Sequence, residues 1–355
     1  MADPLRIRVP GPLNAFARGF ASELSRQGYT PDSACMQMRL VAHLSRWLAD
    51  EGLDASELCV PQVERFLVAR RAAGYTGHLT CRAMRPILSY LRKLKVVPPP
   101  LLSSPNGPVE ASLARYRHYL TVERGLGGLT VRGYIDAVRS FLHGRITPDG
   151  LNLALDDLST ADVTAFVVAR CPHQSRGAAK LTVTALRSLL GFLHVDGAIQ
   201  RPLAAAVPSV ASRRLAGLPK GLQPTEVQSL LASCDRRRHN GRRDFAILTT
   251  LARLGLRAGE IAALQLDHID WGAGDIIVHG KGNRAERLPL PTDVGEAVAA
   301  YLRRGRPVSA EGRTVFVRVR APHRALTTAG VSHVVAAAAR RAGLGQIRAH
   351  RLRHT

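Results

Sequence analysis

Along most of the chain apolar residues recur three and four positions apart, the period of helices that bury one face. Over residues 1–97 and 109–205 this spacing predicts two small bundles of about four helices each. Beyond residue 217 the pattern changes along the chain. Asp244–Arg253 reads as a helix with Phe245, Leu248, Leu251 and Ala252 on one face, stopped by Gly255, and a second short helix is expected near Ala258. After Leu264 the period falls to two. The runs Asp275–Gly280 and Ala285–Leu290 flank Gly-Lys-Gly-Asn, which predicts a β-hairpin, because glycine and asparagine tolerate the positive φ of such turns. Helical spacing returns over Thr292–Leu302 and Ala329–Ala342. The expected fold is mainly α with one small sheet in the C-terminal part (α+β).

Proline punctuates the chain. Pro98–Pro108 holds five prolines and a glycine and cannot continue a helix. A second break near Pro202–Pro224 carries Pro208, Arg213, Arg214, Pro219, Lys220 and Gly221, which suits a basic connector. The expected organisation is a first helical module at 1–97, a linker at 98–108, a second module at 109–205, a linker at 206–216 and a third domain at 217–355. The first two modules resemble each other. Val63–Arg70 matches Val163–Arg170 at five of eight positions, with Leu58 and Leu158 equally placed before them. Trp47-Leu48 and Phe141-Leu142 lie upstream, and Tyr90-Leu91 and Phe192-Leu193 downstream. Agreement across three separate helices argues for a duplicated module.

Charge narrows the partner. The 355 residues carry 50 Lys+Arg against 27 Asp+Glu, a net charge of +23, while 46% hydrophobic residues suffice for folded cores. A disordered basic tail is excluded. So large an excess favours a polyanion, since each neutralised phosphate releases counterions. The basic residues are dispersed and aromatics make up only 5%, which disfavours a lipid anchor or a base-stacking single-strand binder and leaves duplex nucleic acid. No apolar run of about 18 residues and no secretory leader occur, so a cytoplasmic protein without membrane contact is expected. The five cysteines are scattered and never form C-x-x-C, so they read as reduced thiols, and neither a metal nor another cofactor is expected.

Four places beyond residue 217 could carry chemistry. In Leu254-Gly-Leu-Arg257-Ala-Gly-Glu260, Arg257 falls in a short link between helices, and Glu260 in the next first turn could hold its guanidinium. Lys281 stands between Gly280 and Gly282 at the hairpin, open to a phosphate or to proton transfer. His350 and Arg353, three residues apart, share a helical face with Leu352 free for the core. The run Asp235–Arg243, with Arg236, Arg237, Arg238, Arg242 and Arg243, reads as a loop that contacts phosphates or is simply solvated. Each has an ordinary alternative: a bracing Arg–Glu pair, a solvated turn lysine, a basic helix end.

In the order L-G-L-R-x-G-E, strand-G-K-G-N-strand, H-x-L-R-H, these motifs resemble the catalytic domain of the tyrosine recombinases, or phage integrase family, from about Leu218 to Thr355. The 109–205 module resembles that family's helical core-binding domain, and 1–97 an extra copy. The resemblance implies a reaction on duplex DNA that needs neither metal nor ATP. A tyrosine attacks the scissile phosphate to give a 3′-phosphotyrosine, which a free 5′-hydroxyl then attacks. Carried over by motif, Arg257 and Arg353 clamp the non-bridging oxygens, Lys281 protonates the leaving 5′-oxygen, His350 bonds the phosphate and assists proton transfer, and Glu260 orients Arg257. Arg213, Arg214, Lys220 and Arg284 join the arginines of 236–243 as expected DNA contacts, and copies are expected to self-associate on DNA as the family's synaptic tetramers do.

One departure stands out. None of the seven tyrosines follows Arg353, where the family pattern places another His or Trp and then the nucleophile. Tyr301 lies among Val298, Ala299 and Leu302 and reads as core. A recombinase cut short is therefore expected, one that binds DNA without cleaving it. Apolar surface near Val334, Val335 and Leu344 is then expected to be less covered, and the His350–Arg353 turn to fray. Three rivals remain open: a non-catalytic duplex-binding protein, a type IB topoisomerase-like enzyme, and an RNA-binding or ribosomal protein.

Overall fold

The computed structural model describes residues 2–99, 107–210, 221–280 and 284–353. They are mostly helical, with one three-stranded sheet, and form two compact units: 1–99 with 217–355, and 100–216.

The first bundle comprises α1 (Asn14–Arg26), α2 (Pro31–Asp50), α3 (Val60–Ala72) and α4 (Cys81–Lys93). Gly28, at φ +80°, ends the first helix, and the Tyr29 N–H turns back to the Leu24 carbonyl at 3.0 Å. Thr30 then caps α2 by accepting the Ser33 N–H, with Pro31 fixing the first turn. Phe20, Leu24, Leu44, Leu48, Met84 and Leu91 fill a core from which water is nearly excluded. Inside it the fully buried Ser45 hydroxyl accepts the Leu13 N–H at 3.0 Å.

The second bundle repeats the arrangement with α5 (Pro108–His118), α6 (Gly128–His143), α7 (Thr160–Arg170) and α8 (Arg176–Val195). Ser159 and Asp162 close a reciprocal cap on α7, the Asp162 N–H donating to Ser159 and the Ser159 N–H to Asp162. Its core continues past residue 205. Val207 is buried, Val210 packs beside it, and Arg187 donates to the Val207 carbonyl at 2.8 Å and to the Ser209 hydroxyl at 2.9 Å. Residues 206–210, expected in the linker, are thus held by apolar burial; 211–216, like 100–106, lie outside the described residues.

In the C-terminal segment α9 (Pro224–Ala232), α10 (His239–Leu254) and α11 (Ala258–Ala263) precede β1 (Ile269–Asp270), β2 (Asp275–His279) and β3 (Ala285–Pro289). Then follow α12 (Thr292–Arg304), α13 (Thr328–Arg341) and α14 (Ala349–Leu352). The antiparallel sheet runs β1-β2-β3 with Ile276 opposite both Ile269 and Leu288. The two-residue β1 is too short to leave a periodic signal. α10 is more central than its predicted stripe, because Ala246, Ile247, Thr249 and Thr250 are buried as well as Leu248 and Leu251. Contrary to expectation, Val334 and Val335 are buried and Leu344 is half-buried, since α13 packs against both α10 and α11. Among the described residues no helix is long and apolar enough to cross a membrane.

Within this unit the first bundle touches the C-terminal segment. Arg26 pairs with Glu311, and a Cβ on Gly28 would stand 2.3 Å from the Ser309 hydroxyl and 2.6 Å from His323. Tyr29, near Arg318 and Arg324, has its phenol pKa pushed up by burial.

Candidate phosphate-binding site

Gly255 ends α10 in the left-handed region at φ +60°, its N–H bonding the Leu251 carbonyl at 3.1 Å. That turn leads into Leu256, which is buried, and Arg257, which is not. Glu260, one turn into α11, accepts the Arg257 backbone N–H and its Nη1, both at 2.7 Å. Its side chain is 9% exposed against 54% for Arg257. The carboxylate is therefore the buried clamp and the guanidinium the presented group, with most of its five donors open to an anion.

The terminal helix reaches the same place. Ile347, Ala349 and Leu352 are buried and pin α14, which leaves His350 exposed and Arg353 half-buried on the remaining face. The fray expected there is opposed by these three anchors. A Cβ on Gly255 would come within 3.7 Å of the Arg353 carbonyl and 3.9 Å of its Cγ. The hairpin arrives from a third side, as a Cβ on Gly280 would lie 4.0 Å from Glu260 Oε1. Gly280 donates to the Arg284 carbonyl at 2.9 Å, closing the described ends of the hairpin. Segments remote in sequence thus converge on Glu260 and Gly255, bringing together Arg257, Arg353 and the Gly280 end of β2, with His350 on the helix that carries Arg353. Lys281 lies outside the described residues, as do Arg213, Arg214 and Lys220. Arg284 is exposed at the start of β3.

The arginine run sits elsewhere. It enters α10 at its N-terminal end, and the sixteen residues of that helix span about 24 Å to the Gly255 end at ~1.5 Å per residue. It is not a single solvated loop. Arg236 lies over the Phe245 ring at 4.7 Å, Arg238 pairs with Asp235 at 3.2 Å, and Arg242 donates to the Arg304 carbonyl at 3.2 Å. Arg237 is exposed. Arg243 corrects the expectation most plainly: its side chain is 12% exposed, held by Asp244 at 2.7 Å and by the Val317 carbonyl, so it braces the core instead of facing phosphate. Tyr301 is core as well. It is buried against Phe316, accepts the Val317 N–H at 3.3 Å, and has its pKa raised by burial.

Two histidines were missed. His279, next to Gly280, packs on His268 at 4.8 Å between ring centroids with the rings tilted by 41°, and its Nδ1 is buried without a hydrogen-bond partner among the described residues. Burial and then His279 push the His268 pKa down. The only sequence signal was a histidine directly before Gly280-Lys281, which period-two spacing does not single out.

Residues 220–355 match the model of the phage integrase family. Over 336 residues the chain is 38% identical to the putative integrase/recombinase y4rA of Sinorhizobium fredii (strain NBRC 101917 / NGR234), covering 94% of this chain and 81% of that one. It is 32% identical to tyrosine recombinase XerD of Mycobacterium tuberculosis (strain ATCC 25618 / H37Rv) over 262 residues, covering 68% and 82%. Its fold is similar to that of the lambda integrase tetramer bound to a Holliday junction, with TM-score 0.52, 17% identity and coverage of 81% and 79%.

Proposed function

The chain belongs to the phage integrase family of tyrosine recombinases, and from that membership we propose how its residues serve site-specific DNA recombination. Duplex DNA is the substrate. Arg257, locked by Glu260, and Arg353, against Gly255, grip the non-bridging oxygens of one phosphate and stabilise the charge that builds there on attack. His350 hydrogen-bonds that phosphate and assists proton transfer, and Lys281 protonates the departing 5′-oxygen. Fixed cations thereby supply the charge stabilisation that other phosphoryl-transfer sites draw from metal ions. The observation that carries this reading is the buried Glu260 carboxylate, which holds Arg257 out toward solvent beside Arg353.

The attacking group is a tyrosine in this family. Tyr301 is buried and hydrogen-bonded to the Val317 N–H, so it does not serve as that nucleophile. The 109–205 and 1–97 bundles add grip and footprint, with Arg213, Arg214, Lys220 and Arg284 as further phosphate contacts; the protein works in the cytoplasm, and its copies assemble on DNA, as lambda integrase does in its tetramer on a Holliday junction.

Titrating duplex affinity against salt tests the proposal. The affinity should fall by orders of magnitude between roughly 50 and 200 mM salt if six or more phosphates are neutralised. Arg257→Ala and Arg353→Ala should each weaken binding and flatten the slope by about one unit. A salt-insensitive affinity contradicts duplex recognition.

A further inference from the structure

Residues 147–157, Thr-Pro-Asp-Gly-Leu-Asn-Leu-Ala-Leu-Asp-Asp, are out of character in a chain of net charge +23: they hold three carboxylates and no cation. They lie in the connection from α6 to α7, at 144–159, where the first bundle spans the equivalent step from α2 to α3 with only 51–59. The extra length is ordered. Ile146 bridges Leu153, the Thr147 N–H bonds the Asn152 carbonyl at 3.0 Å, and Asp149 accepts the Leu151 N–H at 2.9 Å. This rigid turn lifts Leu151 into solvent at 73% exposure, with Asp156 and Asp157 exposed behind it. A phosphate backbone repels such a loop, so its complement is a cationic protein surface with an apolar floor.

The C-terminal segment has that surface. A cavity of about 720 Å³ opens between the 234–238 turn, the start of α10 and α12. Phe245, Ala297 and Ala300 supply its apolar lining, and Arg236, Arg237, Arg242 and Arg304 its cations, Arg236 lying over the Phe245 ring at 4.7 Å. Arg237 and Arg304 have no ion-pair partner among the described residues. Gly241 sets the turn's position, because a Cβ there would fall 1.8 Å from the Asp235 carbonyl oxygen. Asp235, Asp293 and Glu296 also line the cavity; Arg238 pairs with Asp235 at 3.2 Å and Arg253 with Asp293 at 2.8 Å, so among the described residues the cations without a partner there are Arg237 and Arg304. An apolar lining beside two unpaired cations suits an apolar side chain flanked by carboxylates.

We infer that the 147–157 loop of one copy docks into the arginine-lined cavity of a second copy, Leu151 against its apolar lining and Asp156 and Asp157 against Arg237 and Arg304. This rests on the reading that copies assemble on DNA and names the surfaces they use.

Two measurements decide it. The first omits DNA: a labelled peptide of residues 145–158 is titrated into the full 355-residue protein. Saturable binding is expected, weakened about tenfold or more by Arg237→Glu with Arg304→Glu, and equally by Leu151→Asp in the peptide. No binding, or binding indifferent to these changes, overturns the inference. The second is sedimentation on a duplex long enough for two copies. The Arg237→Glu/Arg304→Glu protein and the Asp156→Arg/Asp157→Arg protein should each lose the two-copy complex, and mixing them should restore it, since the reversed charges then meet. Restoration only when all four changes lie in one chain overturns docking between copies. A fall in one-copy DNA affinity for the Arg237/Arg304 variant returns that turn to the DNA and overturns it too. If the wild-type protein fails to bind duplex at all, the recombinase reading fails while the peptide titration still judges the docking.

Discussion

In the first bundle Phe66 of α3 meets Trp47 of α2 at 5.8 Å between ring centroids, and in the second Phe166 of α7 meets Phe141 of α6 at 5.1 Å. Phe20 meets Tyr90 at 5.6 Å across α1 and α4, and Tyr116 meets Phe192 at 5.4 Å across α5 and α8. The glycines that follow each first helix, Gly28 and Gly125, are both left-handed. Their surroundings differ: Gly28 is pressed against Ser309 and His323, whereas nothing lies within 4 Å of a Cβ on Gly125. The two bundles share these core contacts and differ in what their edges meet. The differences lie at the end of one helix in the first bundle and in one connection, 144–159, in the second.

The largest effect expected from this comparison is in the cores. Phe66→Ala should destabilise the first bundle by about 3–5 kcal/mol, as deletion of a fully buried ring does, while Phe166→Ala, at a half-buried site, should cost less. Hydrogen exchange read separately over the two bundles checks this. Equal losses would mean that the repeat is more symmetric than its burial shows.

The glycines sharpen the contrast. Gly28→Val and Gly125→Val should each cost about 1–2 kcal/mol from left-handed backbone strain, but only Gly28→Val collides with the C-terminal segment. Faster exchange across 309–323 is expected for Gly28→Val alone. Protection that stays unchanged would show the contact to be incidental.

Acid sensitivity is the smallest of these effects. Hydrogen bonding to Arg26 holds the Glu23 carboxyl down at about 2, below its ordinary 4.5. A carboxylate depressed in the folded state stabilises fully above its unfolded value, and that stabilisation fades as pH falls from about 4.5 toward 2. In the second bundle Asp162 is likewise lowered, first by Ser159 and then by Arg145. Glu23→Gln should flatten the acid limb of first-bundle unfolding and leave the second bundle's limb intact. A parallel change in both would break the distinction.

The helices were legible wherever one face is buried. The 3.6-residue period marked both bundles, and a glycine marked the end of α10. What escaped depended on partners far along the chain. β1 exists because Ile269 pairs with Ile276, Arg243 turned inward because Asp244 and the Val317 carbonyl wait there, and Val207 continues a core that the prolines around it seemed to end. The site was visible as three motifs, but their convergence was not, since Gly255 approaching Arg353 and Gly280 approaching Glu260 are facts of tertiary packing. His279, with its orphaned Nδ1, left no pattern at all.

The central proposal is that Arg257, Lys281, His350 and Arg353 act together as a phosphate clamp for a tyrosine nucleophile. The most direct test is covalent capture on nicked duplexes, comparing this polypeptide with the same polypeptide extended by a family-type C-terminal segment bearing a tyrosine. On whichever duplex the extended protein captures, the account expects a protein–DNA adduct that is lost on Arg257→Ala or Arg353→Ala, and no adduct from the 355 residues alone. An adduct formed by the unextended chain would contradict it, because a tyrosine such as the buried Tyr301 would then have to be the attacking group.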